Sequence, residues 1–162
     1  MRAVRIADEL RLDASVDVVW HAIEDPEAHA RWHPFVNAIA GGHQLREIRS
    51  CTVKVGSKEG TTRERCDERE EGVRITWAIV EDSTGFGRMV SDWRSGFEIA
   101  ERDGCTNVTA ESTFRPNNAL VRTMLPVIRR KFHRAQRAIL RGLQEAVEAE
   151  RGALSSRVRE SP

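Results

Sequence analysis

The sequence predicts an α+β domain, and three observations carry that reading. A strand pattern followed by two short helix signals opens the chain, and alternating segments with turn signals between them run from Val36 to Arg115. From Asn117 onward the period changes to 3.6. At 162 residues and 18.3 kDa the chain suffices for one domain with a sizeable core and falls short of two.

Val4 to Leu12 alternates, with Val4, Ile6, Leu10 and Leu12 set against Arg5, Glu9 and Arg11, as a half-buried strand does. Asp13 and Ser15 then offer N-caps for a helix carrying Val16, Val19, Trp20 and Ile23. Pro26 opens a second short helix, Glu27 to Trp32, which Pro34 stops. Turn signals at Gly41-Gly42, Gly56 to Gly60, Glu71-Gly72, Ser83 to Gly87 and Asp103-Gly104 divide the middle of the chain into strands. Leu125, Ile128, Phe132, Ala135, Ile139, Leu143 and Ala146 line one face of a last helix, expected from about Val127 to Glu150, with Arg130, Arg134, Arg137 and Arg141 on the other face. Pro126 either starts that helix or kinks an extension reaching back to Asn118. The expected domain is 1–152, with 153–162 a disordered tail.

Composition narrows the function classes. With 40% hydrophobic and 31% charged residues the chain is neither a disordered acidic tail nor a membrane protein, and no apolar run approaches the roughly 20 residues of a spanning helix. Arg2, Arg5, Asp8 and Glu9 interrupt any signal peptide, so a cytoplasmic location is expected. The net charge of +1 is unevenly spread: residues 1–114 hold 15 Lys or Arg against 21 Asp or Glu, residues 115–162 hold 11 against 4. Cys51, Cys66 and Cys105 are odd in number and lack CxxC spacing, which argues for reduced thiols and against a zinc site or a disulfide framework. There is no Tyr to serve as acid, base or anchor.

Turn positions set register, and register sets which side chains share a face. The turns place Cys51 opposite Cys66, Arg49 opposite Glu68, Cys66 opposite Trp77, Trp77 opposite Trp93, Trp93 opposite Ser112 and Phe97 opposite Val108. One face then collects Arg49, Cys51, Glu64, Cys66, Glu68, Trp77, Ile79, Ser91, Trp93, Ser95 and Ser112, and the apolar face of the long helix, with Met124, Ile128 and Phe132, must cover it. Small serines and charged Arg49, Glu64 and Glu68 stand where a packed core would put Leu or Val. Space and charge together point to a ligand cavity between sheet and helix.

The element order, the Trp32-His33-Pro34-Phe35-Val36 segment, the Arg49-x-Cys51 strand, Gly104-Cys105-Thr106-Asn107-Val108-Thr109 before the last strand, and the long terminal helix together resemble a known group. Over residues 3–150 the chain resembles the helix-grip superfamily of START and Bet v 1-like proteins, closest to its polyketide cyclase/dehydrase-like branch. The resemblance implies a seven-stranded antiparallel curved sheet gripping the C-terminal helix, two short helices after the first strand, and a pocket opening near the N-terminal end of that helix. Its members include lipid and steroid carriers, plant hormone receptors, aromatase/cyclases and chaperone activators, so the fold alone does not choose a function.

Two readings of each candidate stand side by side. Arg49, with Glu64, is a catalytic or ligand-anchoring group, the role an Arg has in the cyclases this chain resembles, or it is half of a structural ion pair with Glu68 or Glu64. Trp77 and Trp93 stack a ligand or simply pack on Phe132 and Ile128. His29 and His33 have a metal-like spacing but no third ligand, and lie in what reads as a surface helix, so no metal is expected. Ser91, Ser95 and Ser112 lack a triad. Gly85-Phe86-Gly87 reads as a mobile loop at the pocket mouth, and the Arg130 to Arg141 stripe as a solvated face paired with the acidic remainder. The expectation is a cofactor-independent carrier or sensor for a hydrophobic or amphipathic small molecule, monomeric or homodimeric, with no nucleic-acid partner and no stable membrane insertion. The alternatives are an aromatase/cyclase or dehydratase acting on a polyketide-like substrate, and a chaperone-activator-like interaction module.

Overall fold

In the computed structural model, which describes residues 2–159, the chain runs β1 (Val4–Leu12), α1 (Val16–Glu24), α2 (Pro26–Trp32), β2 (Val36–Gly41), β3 (Ile48–Val55), β4 (Lys58–Glu70), β5 (Arg74–Asp82), a 3-10 turn at Phe86–Arg88, β6 (Val90–Arg102), β7 (Cys105–Pro116), α3 (Ala119–Thr123) and α4 (Leu125–Arg159). The seven strands form one antiparallel sheet in the order β1-β7-β6-β5-β4-β3-β2. Its concave face holds α4, and α1 and α2 close one end. This is the helix-grip architecture.

Side-chain caps start α2 and α3, whereas Ser15 stands at the N-cap of α1 without a side-chain hydrogen bond and α4 begins at Leu125, two residues before the expected start. Asp25 caps α2, its Oδ1 accepting from Glu27 N–H at 2.8 Å and Ala28 N–H at 3.0 Å, with Pro26 in the first position. Asn118 Oδ1 accepts from Val121 N–H and makes the segment before Pro126 a separate one-turn helix rather than a kinked extension. Pro126 then occupies the second position of α4, where its missing N–H breaks no helical bond. Beyond Gly152, where the sequence predicts a frayed tail, α4 continues to Arg159; residues 160–162 lie outside the described residues.

Of the six pairings read from the turns, Cys66 with Trp77 stands and five move, and the face parity holds except at Glu68 and Ser91. The β3–β4 turn has two residues, Gly56 and Ser57, so Arg49 lies opposite Glu64 rather than Glu68, and Cys51 opposite Thr62 rather than Cys66. Likewise Asp103-Gly104 is a two-residue turn with both φ positive, the primed geometry that suits a hairpin. Phe97 therefore opposes Ala110, and Ser95 rather than Trp93 opposes Ser112. Trp77 opposes Ser95 rather than Trp93, and β6 carries an irregularity against β7 between Ser91 and Arg94. The turn after β4 has three residues, and a bulge between Cys66 and Glu68 absorbs the extra one. Cys66 thus still faces Trp77, while Glu68 turns to the outer face, where it lies near Arg74, and Arg69 turns inward to pair with Glu24. Ser91, paired with the exposed Arg115, also belongs to the outer face.

Three clusters make the core. The largest joins Ile75, Trp77, Phe97, Ile99 and Val108 of the sheet to Val19, Trp20 and Ile23 of α1 and to Leu140, Leu143 and Val147 of α4. The second packs Val4, Ile6, Val90 and Phe114 against Val121 and Ile128, with Phe86, Trp93 and Phe132 at its edge. Val36, Cys51 and Val53 form the third. Polar straps fix α4 over the edge strand β1: Gln136 Nε2 donates to Ile6 O at 3.1 Å, and Asp8 receives His133 and Arg137. Gly142 lets α2 seat on α4, since a Cβ there would collide with the Trp32 carbonyl. Among the described residues no helix is long and apolar enough to cross a membrane.

Candidate functional site

Strand alternation points Arg49 inward from β3 and Glu64 inward from β4, and the register sets them directly opposite. Arg49 Nε–H and Nη2–H both donate to Glu64 Oε2, at 2.9 and 2.7 Å, and Thr62 Oγ1 donates to Glu64 Oε1 at 2.9 Å. The side chains are 6% and 13% exposed, so this is a buried pair. The guanidinium carbon lies 3.7 Å from the centre of the Trp77 ring, stacked on its face. A guanidinium has five N–H donors, and Glu64 takes two. The rest remain for another acceptor.

Helix α2 completes one wall. His29, expected on a surface helix, is buried instead, and His33 is half-buried. The His29 ring stacks on Trp32 at 4.8 Å and on His33 at 5.1 Å and meets the edge of Trp77 at 5.9 Å. His29 Nδ1–H donates to Ile23 O at 2.8 Å, while His33 Nδ1 accepts from Phe35 N–H at 3.2 Å, which puts the His33 proton on Nε2. Burial, then the Arg49 charge and then His33, hold the His29 pKa well below its usual value, against the opposing pull of the Ile23 carbonyl. Burial brings His33 down to about 4, with Arg49 adding to the fall and Glu64 opposing it. Both imidazoles are neutral beside the cation, and this predicts a pH effect. The unfolded chain takes up protons at these histidines below the ordinary value near 6.5, whereas folded His33 does not until about 4 and burial holds folded His29 well below that ordinary value too. Stability is therefore full above about pH 6.5 and falls as pH drops toward 4. Urea midpoints across that range should decline, and His29→Gln with His33→Gln should flatten the slope.

The other half of the inner face is aromatic. Phe86 meets Trp93 at 4.9 Å, Phe132 at 5.2 Å and Phe114 at 5.6 Å, and Trp93 meets Phe132 at 6.4 Å. Between this cluster and Arg49 the register runs from Trp77 to Ser95 to Ser112 to Ile6, and the two serine hydroxyls bond at 2.9 Å. Trp77 Nε1 and Trp93 Nε1 on the sheet, and Gln136 Oε1 on α4, are buried without a hydrogen-bond partner. A buried polar atom left unpaired costs about 1–3 kcal/mol. Trp20 Nε1 on α1 and Asn107 Oδ1 on β7 are likewise without a partner among the described residues.

Not every candidate lies here. Cys51, Cys66, Trp77, Ser112 and Ile128 are buried, and Ile79, Trp93, Ser95 and Phe132 half-buried, on these walls; Ser91 and Met124 are exposed. The three cysteines are free, with burial pushing the Cys51 thiol up to about 12 and Cys66 upward as well. No group of three metal-ligating side chains occurs among the described residues. The sequence reading missed Gln136, although a Gln one turn after Phe132 in an apolar stripe is a legible anomaly. Two concavities, about 520 Å³ between α1, α2 and α4 and about 370 Å³ on the outer face of the sheet, lie elsewhere: neither is lined by Arg49, Trp77 or Phe132.

With this geometry in hand, comparison with known proteins is specific. Residues 3–148 match the family described as polyketide cyclase / dehydrase and lipid transport. The chain belongs to that family. Among solved structures, this cyclase/dehydrase and lipid transport family member is similar to the Zhui aromatase/cyclase from Streptomyces sp. R1128, at a TM-score of 0.72 and 15% identity over 91% of this chain and 94% of that one. It is also similar to a START superfamily protein from Mycobacterium smegmatis (TM-score 0.73, 12% identity, 90% and 97% covered) and to the major latex-like protein 151 of Panax ginseng (0.70, 10%, 91% and 97%). At these identities the likeness is one of fold. No curated protein matches the sequence.

Proposed function

We propose that this family member binds a hydrophobic or amphipathic small molecule between the sheet and α4, as a carrier or sensor, with Arg49 and the Trp77 indole as polar anchors. The observation that supports the reading is a set of buried atoms without a partner among the described residues, Trp77 Nε1 and Trp93 Nε1 on the sheet and Gln136 Oε1 on α4. A ligand with an apolar body and one or two oxygens satisfies them and the spare N–H groups of Arg49. Its entry parts the Phe86, Trp93 and Phe132 contacts, which are made by a loop residue, a strand residue next to a bulge and a helix residue. Titration with a panel of fatty acids, steroids and polycyclic phenols should give saturable quenching of tryptophan fluorescence. Trp77→Phe, which keeps an aromatic face but removes the indole N–H, should weaken the best ligand about fivefold. Absence of saturable binding across the panel, with no small molecule seen by native mass spectrometry of the gently purified protein, overturns the reading.

A second reading is an aromatase/cyclase or dehydratase acting on a polyketide-like substrate. It is favoured by the spare Arg49 donors beside two neutral histidines, a set able to hold an enolate and orient a flexible poly-β-carbonyl chain. Turnover of such a chain that Arg49→Met abolishes in a folded background would favour it over the carrier.

A further inference from the structure

The basic stripe of α4 behaves unlike the sequence reading. Asn117 to Gln144 contains no Asp or Glu. Arg137 reaches Asp8 and Arg151 reaches Asp13, but the exposed Arg122, Arg129, Arg130, Lys131 and Arg134 form no ion pair among the described residues. The acids that flank the Phe86–Arg88 turn and open β6 are engaged elsewhere, Asp82 by Thr84 and Gly87, and Asp92 by Arg115.

Apolar side chains crowd the same end. Leu120 is 70% exposed, Val127 55%, Met124 44% and Met89 36%. The backbone ties them together: Asn117 N–H donates to Met89 O at 3.0 Å, Met124 N–H to Leu120 O at 3.1 Å, and Val127 N–H to Met124 O at 3.0 Å. Directly beneath lie Phe86, Val121 and Ile128 of the second core cluster.

We propose that this end of the molecule docks reversibly on an anionic lipid bilayer, with Leu120, Met124, Val127 and Met89 entering the headgroup boundary and Arg122, Arg129, Arg130 and Lys131 meeting lipid phosphates. An apolar crown ringed by cations is the chemistry of an interfacial contact. α4 is too polar to span a membrane, so the molecule lies on the surface. Nucleic acid would use the cations but leave Leu120 and Val127 in water. A second copy would bury the crown only by bringing the two basic rings together. The docking stands on this surface alone and goes beyond the ligand reading.

The test is co-sedimentation of the full chain with phosphatidylcholine vesicles and with vesicles of phosphatidylcholine mixed with phosphatidylglycerol. Binding is expected to the mixed vesicles only, and to weaken as salt rises. Leu120→Ser with Val127→Ser, and separately Arg129→Glu with Lys131→Glu, should each lower it about tenfold or more. Since all four side chains are exposed, urea midpoints should stay unchanged, and Lys54→Glu, elsewhere on the surface, should leave binding intact. No preference for anionic vesicles, or insensitivity to the Leu120/Val127 pair, overturns the proposal. So does duplex DNA binding without vesicle binding, or a dimer that the same pair dissolves in a protein that ignores vesicles.

Discussion

Arg49→Ala should destabilise the fold by about 3–5 kcal/mol, a large share of what a domain of this size has, because it strands the Glu64 carboxylate in a buried site. The Thr62 hydroxyl would remain as its hydrogen-bond donor and cannot balance a charge. The Trp77 face would also lose the cation stacked on it. Arg49→Met with Glu64→Leu should restore most of the loss, since apolar residues of similar volume replace a buried ion pair at little net cost. Urea unfolding of both variants measures this. The restored protein then tests function cleanly, for it has the fold but no guanidinium. Loss of ligand quenching in it makes Arg49 an anchor, and unchanged quenching makes the pair purely structural.

Phe114→Ala should cost about 3–5 kcal/mol. Phe114 is fully buried and meets Phe132 at 5.3 Å and Phe86 at 5.6 Å, so it joins β7 to α4 and to the turn after β5. Removing the ring leaves a cavity that helix and sheet can close only by moving together, and the strapping of α4 to β1 through Gln136 and Asp8 resists that. A urea midpoint close to wild type would mean that this end of the grip is loose enough to collapse. Trp93→Ala, at a half-buried position, should cost less and act mainly on ligand binding.

The element order and the inward faces of most strands were legible because their signals are local. Period 2 in Val4 to Leu12 and period 3.6 in Leu125 to Ala146 report which side of each element meets a core, whatever that core is. Arg49, Cys51, Cys66, Trp77 and Trp93 were placed on the correct face for this reason. Their partners were not, since partners depend on register, and register depends on how many residues each turn consumes. Shortening one turn to Gly56-Ser57 moves Arg49 from Glu68 to Glu64, and one bulge near Asp67 exchanges Glu68 for Arg69 on the inner face.

Burial of His29 and His33 was likewise beyond the sequence, because a seven-residue helix has too few positions to show an apolar face. His29 is buried by what comes to it from far along the chain, the Trp77 and Phe97 rings at its edge, and desolvation is what keeps both imidazoles neutral. The sequence by itself determined an antiparallel sheet, a covering helix and the residue types between them. Only the tertiary structure decided that Arg49 is held by Glu64, that Trp77 Nε1, Trp93 Nε1 and Gln136 Oε1 are buried without a partner among the described residues, and that Arg129, Arg130, Lys131 and Arg134 form no ion pair among them. Periodicity is a property of neighbours in the chain, whereas pairing is settled by distances between residues far apart in it.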